Sequence, residues 1–135
     1  MKPPEASAPR ILVVDDDPVI ARLVVRFLKP LGYEVLTAGS SDEAVLQLDE
    51  RVDAMVLDVR IPGMRGDAFY YLATARQPWL LGRALFVTGD GTKDSEGVAR
   101  ATGCEVMLKP FSFDLLRIQV QKLAPLPSQR VPRVG

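Results

Sequence analysis

Five short apolar runs alternate with longer amphipathic stretches along the chain, and this alternation restricts the fold more than any other feature. The runs cover residues 11–14, 34–38, 54–57, 84–87 and 105–108. Four are almost continuously apolar, which is typical of strands covered on both faces of a parallel sheet. The second keeps polar positions and suits a sheet edge. The pattern predicts repeated βα units around one parallel sheet.

Helix start and stop signals separate the runs. Asp17 followed by Pro18 is typical of a helix N-cap and first position, and Gly32 ends that helix. One face of this first helix carries apolar residues at 3.6-residue spacing, which we expect to face the core. These residues are Ile20, Leu23, Val24, Phe27, Leu28 and Leu31.

Four further helices complete the pattern. Ser40 with Glu43 fits a capping box for the second helix, and we predict the third and fourth over 67–76 and 93–102. Ser112 caps the fifth, whose expected core positions are Leu115, Leu116, Ile118 and Leu123. Five strands alternating with five helices predict a doubly wound α/β fold.

Composition bounds the remaining possibilities. The chain has 135 residues, and both its ends are rich in proline, so we expect a domain over 10–123 between a disordered tail, 1–9, and a tail or linker, 124–135. The twelve residues after the domain are too few for an output domain. A net charge of zero gives no reason to expect nucleic-acid binding, and neither a signal peptide nor a membrane span is apparent, which predicts a cytoplasmic protein.

The chain contains no histidine. Zinc sites of the His/Cys type, catalysis by Ser-His or Cys-His pairs, and imidazole pH switches are therefore excluded. With a single cysteine, an intrachain disulfide is excluded as well. Chemistry must use carboxylates, hydroxyls and ammonium groups, and a metal site must be built from oxygen ligands.

Polar residues follow the apolar runs where ligands bind in such sheets, at the carboxyl ends of the strands. Asp15 and Asp16 follow the first run, Asp58 the third, Thr88 the fourth and Lys109 the fifth. Each residue taken singly has an ordinary explanation as a cap, turn or surface residue. Their joint placement predicts one pocket if the first strand lies beside the third.

Three carboxylates so close together require a cation, and Mg²⁺ is the natural ion for oxygen ligands. A hydroxyl at Thr88 and a positive charge at Lys109 would complete a site for a phosphoryl group. A carboxylate nucleophile, a metal, a hydroxyl and an ammonium are the groups that phosphoryl transfer to an aspartate needs.

Four segments, ILVVDDD (11–17), LDVRIPGM (57–64), FVTG (86–89) and LKPF (108–111), resemble the receiver domain of two-component response regulators. The four occur in the family's order and spacing, and the similarity covers residues 10–123. The resemblance implies a flavodoxin-like sheet with strand order 2-1-3-4-5 and a non-enzymatic role beyond self-catalysed phosphoryl transfer and slow autodephosphorylation.

The resemblance also implies roles for the acidic residues. Asp58 is the expected phosphoacceptor, which attacks the phosphohistidine of a histidine kinase or a histidine phosphotransfer protein. Asp16 and Asp58 would coordinate Mg²⁺ directly and Asp15 through water, with the backbone carbonyl of Arg60 as a further ligand. The protein would be either free-standing or the terminal receiver of a hybrid kinase.

The remaining site residues follow from the same resemblance. Thr88 would hydrogen-bond the phosphoryl group, Lys109 would pair with it, and the Lys109–Pro110 peptide would be cis. Val106 occupies a position where many family members have a switching aromatic residue, so the usual rotameric switch is not expected. Arg60 and Asp90 border the expected water route, and we hypothesise that their ion pair sets the lifetime of the acyl phosphate.

Two surfaces are candidates for partners. An apolar patch among arginines on the first helix, Val19, Arg22, Val25 and Arg26, is a candidate docking site for the phosphoryl donor. The resemblance also permits a homodimer through the fourth helix, fifth strand and fifth helix. The charged residues of that region are Lys93, Asp94, Glu96, Arg100 and Arg117.

Two alternatives remain. A pseudo-receiver would act as an interaction module without phosphorylation, but the chain keeps all five site residues. A small aspartyl phosphohydrolase usually has a second acid two residues after its nucleophile, and this chain has Arg60 there.

Overall fold

The computed structural model describes residues 8–89 and 93–127. Seven strands occur in this part of the chain: β1 (Arg10–Val14), β2 (Glu34–Ala38), β3 (Ala54–Asp58), β4 (Arg60–Ile61), β5 (Met64–Arg65), β6 (Ala84–Thr88) and β7 (Glu105–Leu108). The α-helices are α1 (Pro18–Leu28), α2 (Ser41–Gln47), α3 (Gly66–Arg76), α4 (Lys93–Thr102) and α5 (Phe113–Leu123), with short 3₁₀ turns at Lys29–Leu31 and Pro78–Leu80.

Five strands form one parallel sheet in the order β2-β1-β3-β6-β7. Without the short antiparallel pair β4 and β5, this order is 2-1-3-4-5, so the predicted doubly wound, flavodoxin-like fold is confirmed. The half-exposed β2 lies at an edge, as its polar residues indicated.

Alternate residues of the strands point to two apolar cores, one on each face of the sheet. Met55 and Leu57 of β3 pack on the side of α2, α3 and α4, while Ala54 and Val56 pack on the side of α1 and α5. Every residue of β3 and β6 is buried. This double coverage explains their continuous apolar runs.

The predicted helix caps are present. The side chain of Asp17 accepts a hydrogen bond from the backbone N–H of Val19, and Ser40 and Ser112 cap α2 and α5 in the same way. Gly32 adopts a φ of 114° at the end of the 3₁₀ turn after α1, a conformation that glycine accepts without strain.

Three expected core positions are wrong. Leu23, Leu115 and Ile118 are each at least 41% exposed. On these two helices, fewer apolar residues face the sheet than the apolar spacing predicts. The buried ones include Val24 on α1 and Leu116 and Val120 on α5.

The packed unit is slightly longer than the expected 10–123. Pro9 is buried, and its carbonyl accepts a hydrogen bond from the backbone N–H of Glu34. Beyond α5, Ala124 and Leu126 are buried against the core of α1 and α5, and Leu126 lies against Gly32. Most of the two expected tails lies outside the described residues. Within residues 8–89 and 93–127, no helix is long and apolar enough to cross a bilayer.

Candidate functional site

The three acidic residues from the strand ends meet at one edge of the sheet. Asp15 follows β1 and Asp58 ends β3, and these strands pair directly, with Val14 opposite Leu57. Carboxylate oxygens of Asp15, Asp16 and Asp58 lie within 4.8 Å of one another. The expected convergence of the three carboxylates is present because β1 and β3 are neighbours.

Lys109 holds two of these carboxylates together. Its Nζ donates to Oδ2 of Asp58 at 2.8 Å and to Oδ2 of Asp15 at 2.9 Å. Asp15 and Asp58 are nearly buried, at 6% and 8% exposure, whereas Asp16 is exposed. One side of the cluster is thus packed in protein, and Asp16 faces solvent.

Burial shapes the charge states of the site. Burial raises the pKa of Asp15 above its ordinary value, against the hydrogen bonds from Asp17 and Lys109, which lower it. Burial would lower the pKa of Lys109, but the hydrogen bonds to Asp58 and Asp15 and the negative charges of these two acids together outweigh it and leave that pKa raised. The ammonium form of Lys109 is therefore firmly held between the two acids.

Backbone N–H groups fix the orientation of the same carboxylates. Oδ1 of Asp58 accepts from the N–H of Arg60 at 3.0 Å, and Oδ1 of Asp15 accepts from the N–H of Asp17 at 2.9 Å. Each acid therefore has one oxygen on a backbone donor and the other on Lys109. This arrangement holds both side chains in place before any ligand arrives.

Gly66, which no sequence motif singled out, supports Asp58. A side-chain Cβ at Gly66 would collide with the backbone carbonyl oxygen of Asp58, and the N–H of Gly66 donates to the carbonyl of Val59 at 2.9 Å. The start of α3 therefore packs directly on the end of β3. A glycine at the start of a predicted helix was the available signal.

Thr88 ends β6 and Lys109 directly follows β7, the two strands on the other side of Asp58. Thr88 is buried at the end of β6, and its carbonyl accepts from the N–H of Lys109 at 2.7 Å. The Lys109–Pro110 peptide bond is cis. Val106 is partly buried and packs on the core of α2, α3 and α4.

The other predicted residues lie around this centre. Arg60 is exposed two residues after Asp58, and Asp90 lies outside the described residues, so their proposed ion pair remains a prediction. On α1, Arg22 and Arg26 are exposed, Val19 is 57% exposed and Val25 is half-buried.

The acidic cluster fits a divalent cation. Its donors are carboxylate oxygens within 4.8 Å of one another, the ligand type that hard cations prefer. Burial already raises the pKa of Asp15, so added positive charge would relieve a real electrostatic cost. Asp15, Asp16 and Asp58 can therefore hold a metal ion.

Comparison with known proteins agrees with this geometry. A family model described as "Response regulator receiver domain" matches residues 11–121. The chain belongs to this family. The resemblance drawn from the four sequence motifs is confirmed.

Two curated relatives of this receiver domain are named as transcriptional regulators. TcrX of Mycobacterium tuberculosis is named a probable transcriptional regulatory protein. It is 32% identical over 84% of this chain and 48% of its own length. YrkP of Bacillus subtilis is named an uncharacterized transcriptional regulatory protein. It is 36% identical over 82% of this chain and 47% of its own length. The receiver domain thus spans about half of each. A region of AruR from Pseudomonas aeruginosa is 43% identical over 45% of this chain and 28% of that protein.

Among solved structures, a CheY-like receiver domain from Methanospirillum hungatei superposes on this receiver domain with a TM-score of 0.76. It is 27% identical over 92% of this chain and all of that chain. The fold therefore matches a receiver domain along nearly its whole length.

Proposed function

We propose that this receiver domain accepts a phosphoryl group on Asp58 from the phosphohistidine of a histidine kinase or phosphotransfer protein, with Mg²⁺ held by the acidic cluster. The observation that carries the proposal is the contact of one ammonium, Lys109, with the carboxylates of Asp58 and Asp15 beside Asp16. A buried carboxylate beside a cation-binding cluster is suited to phosphoryl transfer.

The transfer needs a nucleophile held in place and positive charge near the phosphoryl oxygens. An oxygen of Asp58 attacks phosphorus; the P–N bond to the donor imidazole breaks as the P–O bond forms, and the imidazole nitrogen takes a proton from solvent. Lys109 and the hydroxyl of Thr88 bind phosphoryl oxygens. Asp16, Asp58 and the Arg60 carbonyl would hold Mg²⁺ directly and Asp15 would hold it through water, and the ion would supply positive charge that offsets repulsion between the carboxylates and the phosphoryl group.

Intact mass spectrometry tests this chemistry. Phosphoramidate is a suitable donor because its P–N bond resembles that of phosphohistidine. We expect a gain of about 80 Da, one phosphoryl group, with Mg²⁺ and none with EDTA. Asp58→Asn should abolish the gain, and Asp49→Asn, an exposed acid at the opposite end of the sheet, should not.

Three results would contradict the proposal. An adduct that persists in Asp58→Asn would place the chemistry on another residue. No adduct from phosphoramidate, acetyl phosphate or a phosphorylated phosphotransfer protein would favour the phosphorylation-independent interaction module. Continuous phosphate release without adduct would favour the phosphohydrolase.

Arg60 and Asp90 are proposed to set the lifetime of the acyl phosphate. Arg60 follows the phosphoacceptor by two residues, and its N–H already contacts Asp58. We expect Arg60→Ala and Asp90→Ala to change the decay rate of the adduct. Unchanged decay in both variants would overturn this assignment.

Two surfaces carry the proposed protein contacts. The exposed Val19, among Arg22, Val25 and Arg26 on α1, supports donor docking there. On the side of α4, β7 and α5, the exposed apolar residues Leu108, Leu115 and Ile118 support a homodimer. Rates of phosphoryl transfer to the Val19→Asp variant test donor docking on α1. Sedimentation of the phosphorylated protein tests the homodimer.

A further inference from the structure

A row of three aromatic rings leads from the phosphorylation site to α1. The rings of Phe111 and Phe113 lie 5.8 Å apart between centroids in an edge-to-face arrangement, and those of Phe113 and Phe27 lie 5.0 Å apart. Phe111 follows Lys109 by two residues, and Phe27 is in the last turn of α1. The row therefore joins the loop after β7 to α1 through side-chain contact.

The first ring of the row also borders the acidic residues directly. Phe111 lines a cavity of about 10 Å³, the space of roughly one water molecule, together with Asp15 and Asp58. Ile20 and Val24 of α1 line the same cavity. Phe111 therefore lies near α1 in two ways, across the cavity and through its contact with Phe113.

Phosphorylation must alter the contacts of Lys109. Its ammonium now lies between Asp58 and Asp15. An acyl phosphate on Asp58 converts a charged carboxylate oxygen into a neutral ester-type oxygen and adds charged oxygens farther out. The backbone N–H of Lys109 is held by the carbonyl of Thr88, so the adjustment falls on the side chain and on the residues that follow it.

We propose that Phe111, Phe113 and Phe27 form a relay that couples phosphorylation of Asp58 to the conformation of α1. The relay rests on the proposed function, since it needs the acyl phosphate. The three rings are partly buried and pack on the core of α1 and α5. Their contact would transmit displacement because a packed core has little free volume to absorb it. Such coupling requires two discrete arrangements. For Lys109 these would be the observed contact with Asp58 and Asp15 and a second contact with the phosphoryl oxygens.

Hydrogen exchange with and without beryllium fluoride plus Mg²⁺, a stable mimic of the phosphoryl group, tests the relay. In the wild-type protein we expect amide exchange in α1 to change by about fivefold or more on binding of the mimic. Phe113→Leu removes the middle ring, and the α1 response should then be largely lost while exchange around β7 still responds.

Tyr71→Leu is the matched control. Tyr71 is a half-exposed aromatic residue of α3 that pairs with Tyr70, on the opposite face of the sheet from Phe113. We expect this variant to keep the full α1 response. If Phe113→Leu proves unstable in an unfolding assay, Phe27→Leu removes the ring at the α1 end of the row instead.

The outcomes separate the relay from the proposed function. A phosphoryl adduct on Asp58 without any α1 response, or a full α1 response in both Phe113→Leu and Phe27→Leu, would overturn the relay and leave phosphorylation intact. Absence of the adduct in the wild-type protein would overturn the proposed function and the relay with it. An adduct with an α1 response that needs Phe113 supports both.

Discussion

The two ends of the central sheet use charge in different ways. At the carboxyl ends of the strands, Asp15, Asp16 and Asp58 gather beside the ammonium of Lys109, and two of the acids are nearly buried. Burial there raises the pKa of Asp15. This end holds carboxylates in a position that is electrostatically costly without further positive charge.

At the amino ends, charges form partly exposed ion pairs. Arg10 contacts Glu34 at 3.0 Å and Glu50 at 3.5 Å, and Arg51 contacts Asp53 at 3.3 Å. Between 24% and 62% of each of these side chains is exposed. Such pairs remain hydrated, and each contributes about 0–1 kcal/mol.

This difference shows which end of the sheet carries an electrostatically unfavourable arrangement. Exposed pairs at the amino ends can be lost with little effect, because water replaces each partner. The carboxyl-end cluster would be a poor arrangement for stability alone, so it marks a site kept for ligand binding. The comparison predicts unequal effects for similar substitutions at the two ends.

The largest effect on stability is expected for Lys109→Met, which keeps the side-chain length and removes the charge. Asp15 and Asp58 would face each other without their shared donor, and we expect the free energy of unfolding to fall by about 2–4 kcal/mol without divalent ions. Chemical denaturation at neutral pH measures it. Lys122→Met, at an exposed lysine of α5, should change it by less than about 0.5 kcal/mol.

The stability of Lys109→Met should also depend on Mg²⁺. Because a divalent cation replaces the missing positive charge, added Mg²⁺ should restore more stability to Lys109→Met than to the wild-type protein. Equal effects of Lys109→Met and Lys122→Met would contradict the difference between the buried and exposed charges.

Gly66→Ala comes next. Its Cβ would collide with the carbonyl oxygen of Asp58, so β3 or α3 must shift, and we expect a loss of about 1–3 kcal/mol together with slower phosphorylation. Gly97→Ala is the matched control, because nothing lies within 4 Å of its Cβ position on α4. It should stabilise the protein by about 0.5–1 kcal/mol. A neutral Gly66→Ala would mean that the end of β3 tolerates displacement.

Gly66 also illustrates what the sequence could reveal. The strand ends were predictable, because local apolar runs and cap residues locate them and parallel strands bring those ends together. A glycine at the start of a predicted helix was a signal at position 66, but the reason for it is the close approach of α3 to β3, which depends on tertiary packing. The β4–β5 hairpin was likewise not predicted, although Pro62 and Gly63 carry a turn signal there.

Burial was less predictable than secondary structure. Leu23 and Ile118 lie on apolar helix stripes but remain exposed, since periodicity does not say how much of a stripe the sheet covers. Leu126 lies in a proline-rich segment and is buried against Gly32, a contact between positions distant in sequence. Both outcomes depend on tertiary packing.

Tyr33 provides a buried titratable group toward the amino ends, just before β2. Its hydroxyl donates to the carbonyl of Ala124 at 2.8 Å, so Tyr33→Phe should lower the free energy of unfolding by about 1 kcal/mol at neutral pH. Burial raises the pKa of Tyr33 to about 12 from an ordinary value of 10.0. The unfolded chain therefore loses this proton first as pH rises.

The sign of the pH dependence follows. The stability that comes from protonated Tyr33 is fully present below pH 10 and is lost as pH rises toward 12. The difference between wild type and Tyr33→Phe should shrink over that interval. Tyr70, whose pKa burial also raises, titrates in both proteins and cancels in the comparison. A constant difference from pH 8 to 12 would contradict this assignment.

Apart from the control variants, the smallest effect is expected for Arg51→Met at the amino ends. Arg51 pairs with Asp53, and its guanidinium lies 4.5 Å from the ring centroid of Trp79, but its side chain is 49% exposed. We expect a loss of about 0.5–1 kcal/mol at low salt, which shrinks at high salt as the pair is screened. Unfolding followed by the fluorescence of Trp79, the single tryptophan, measures it. The stability loss in Lys109→Met should persist at high salt, because Asp15 and Asp58 are nearly buried. If Arg51→Met lost as much stability and the loss were equally insensitive to salt, burial would not explain the difference between the two ends of the sheet.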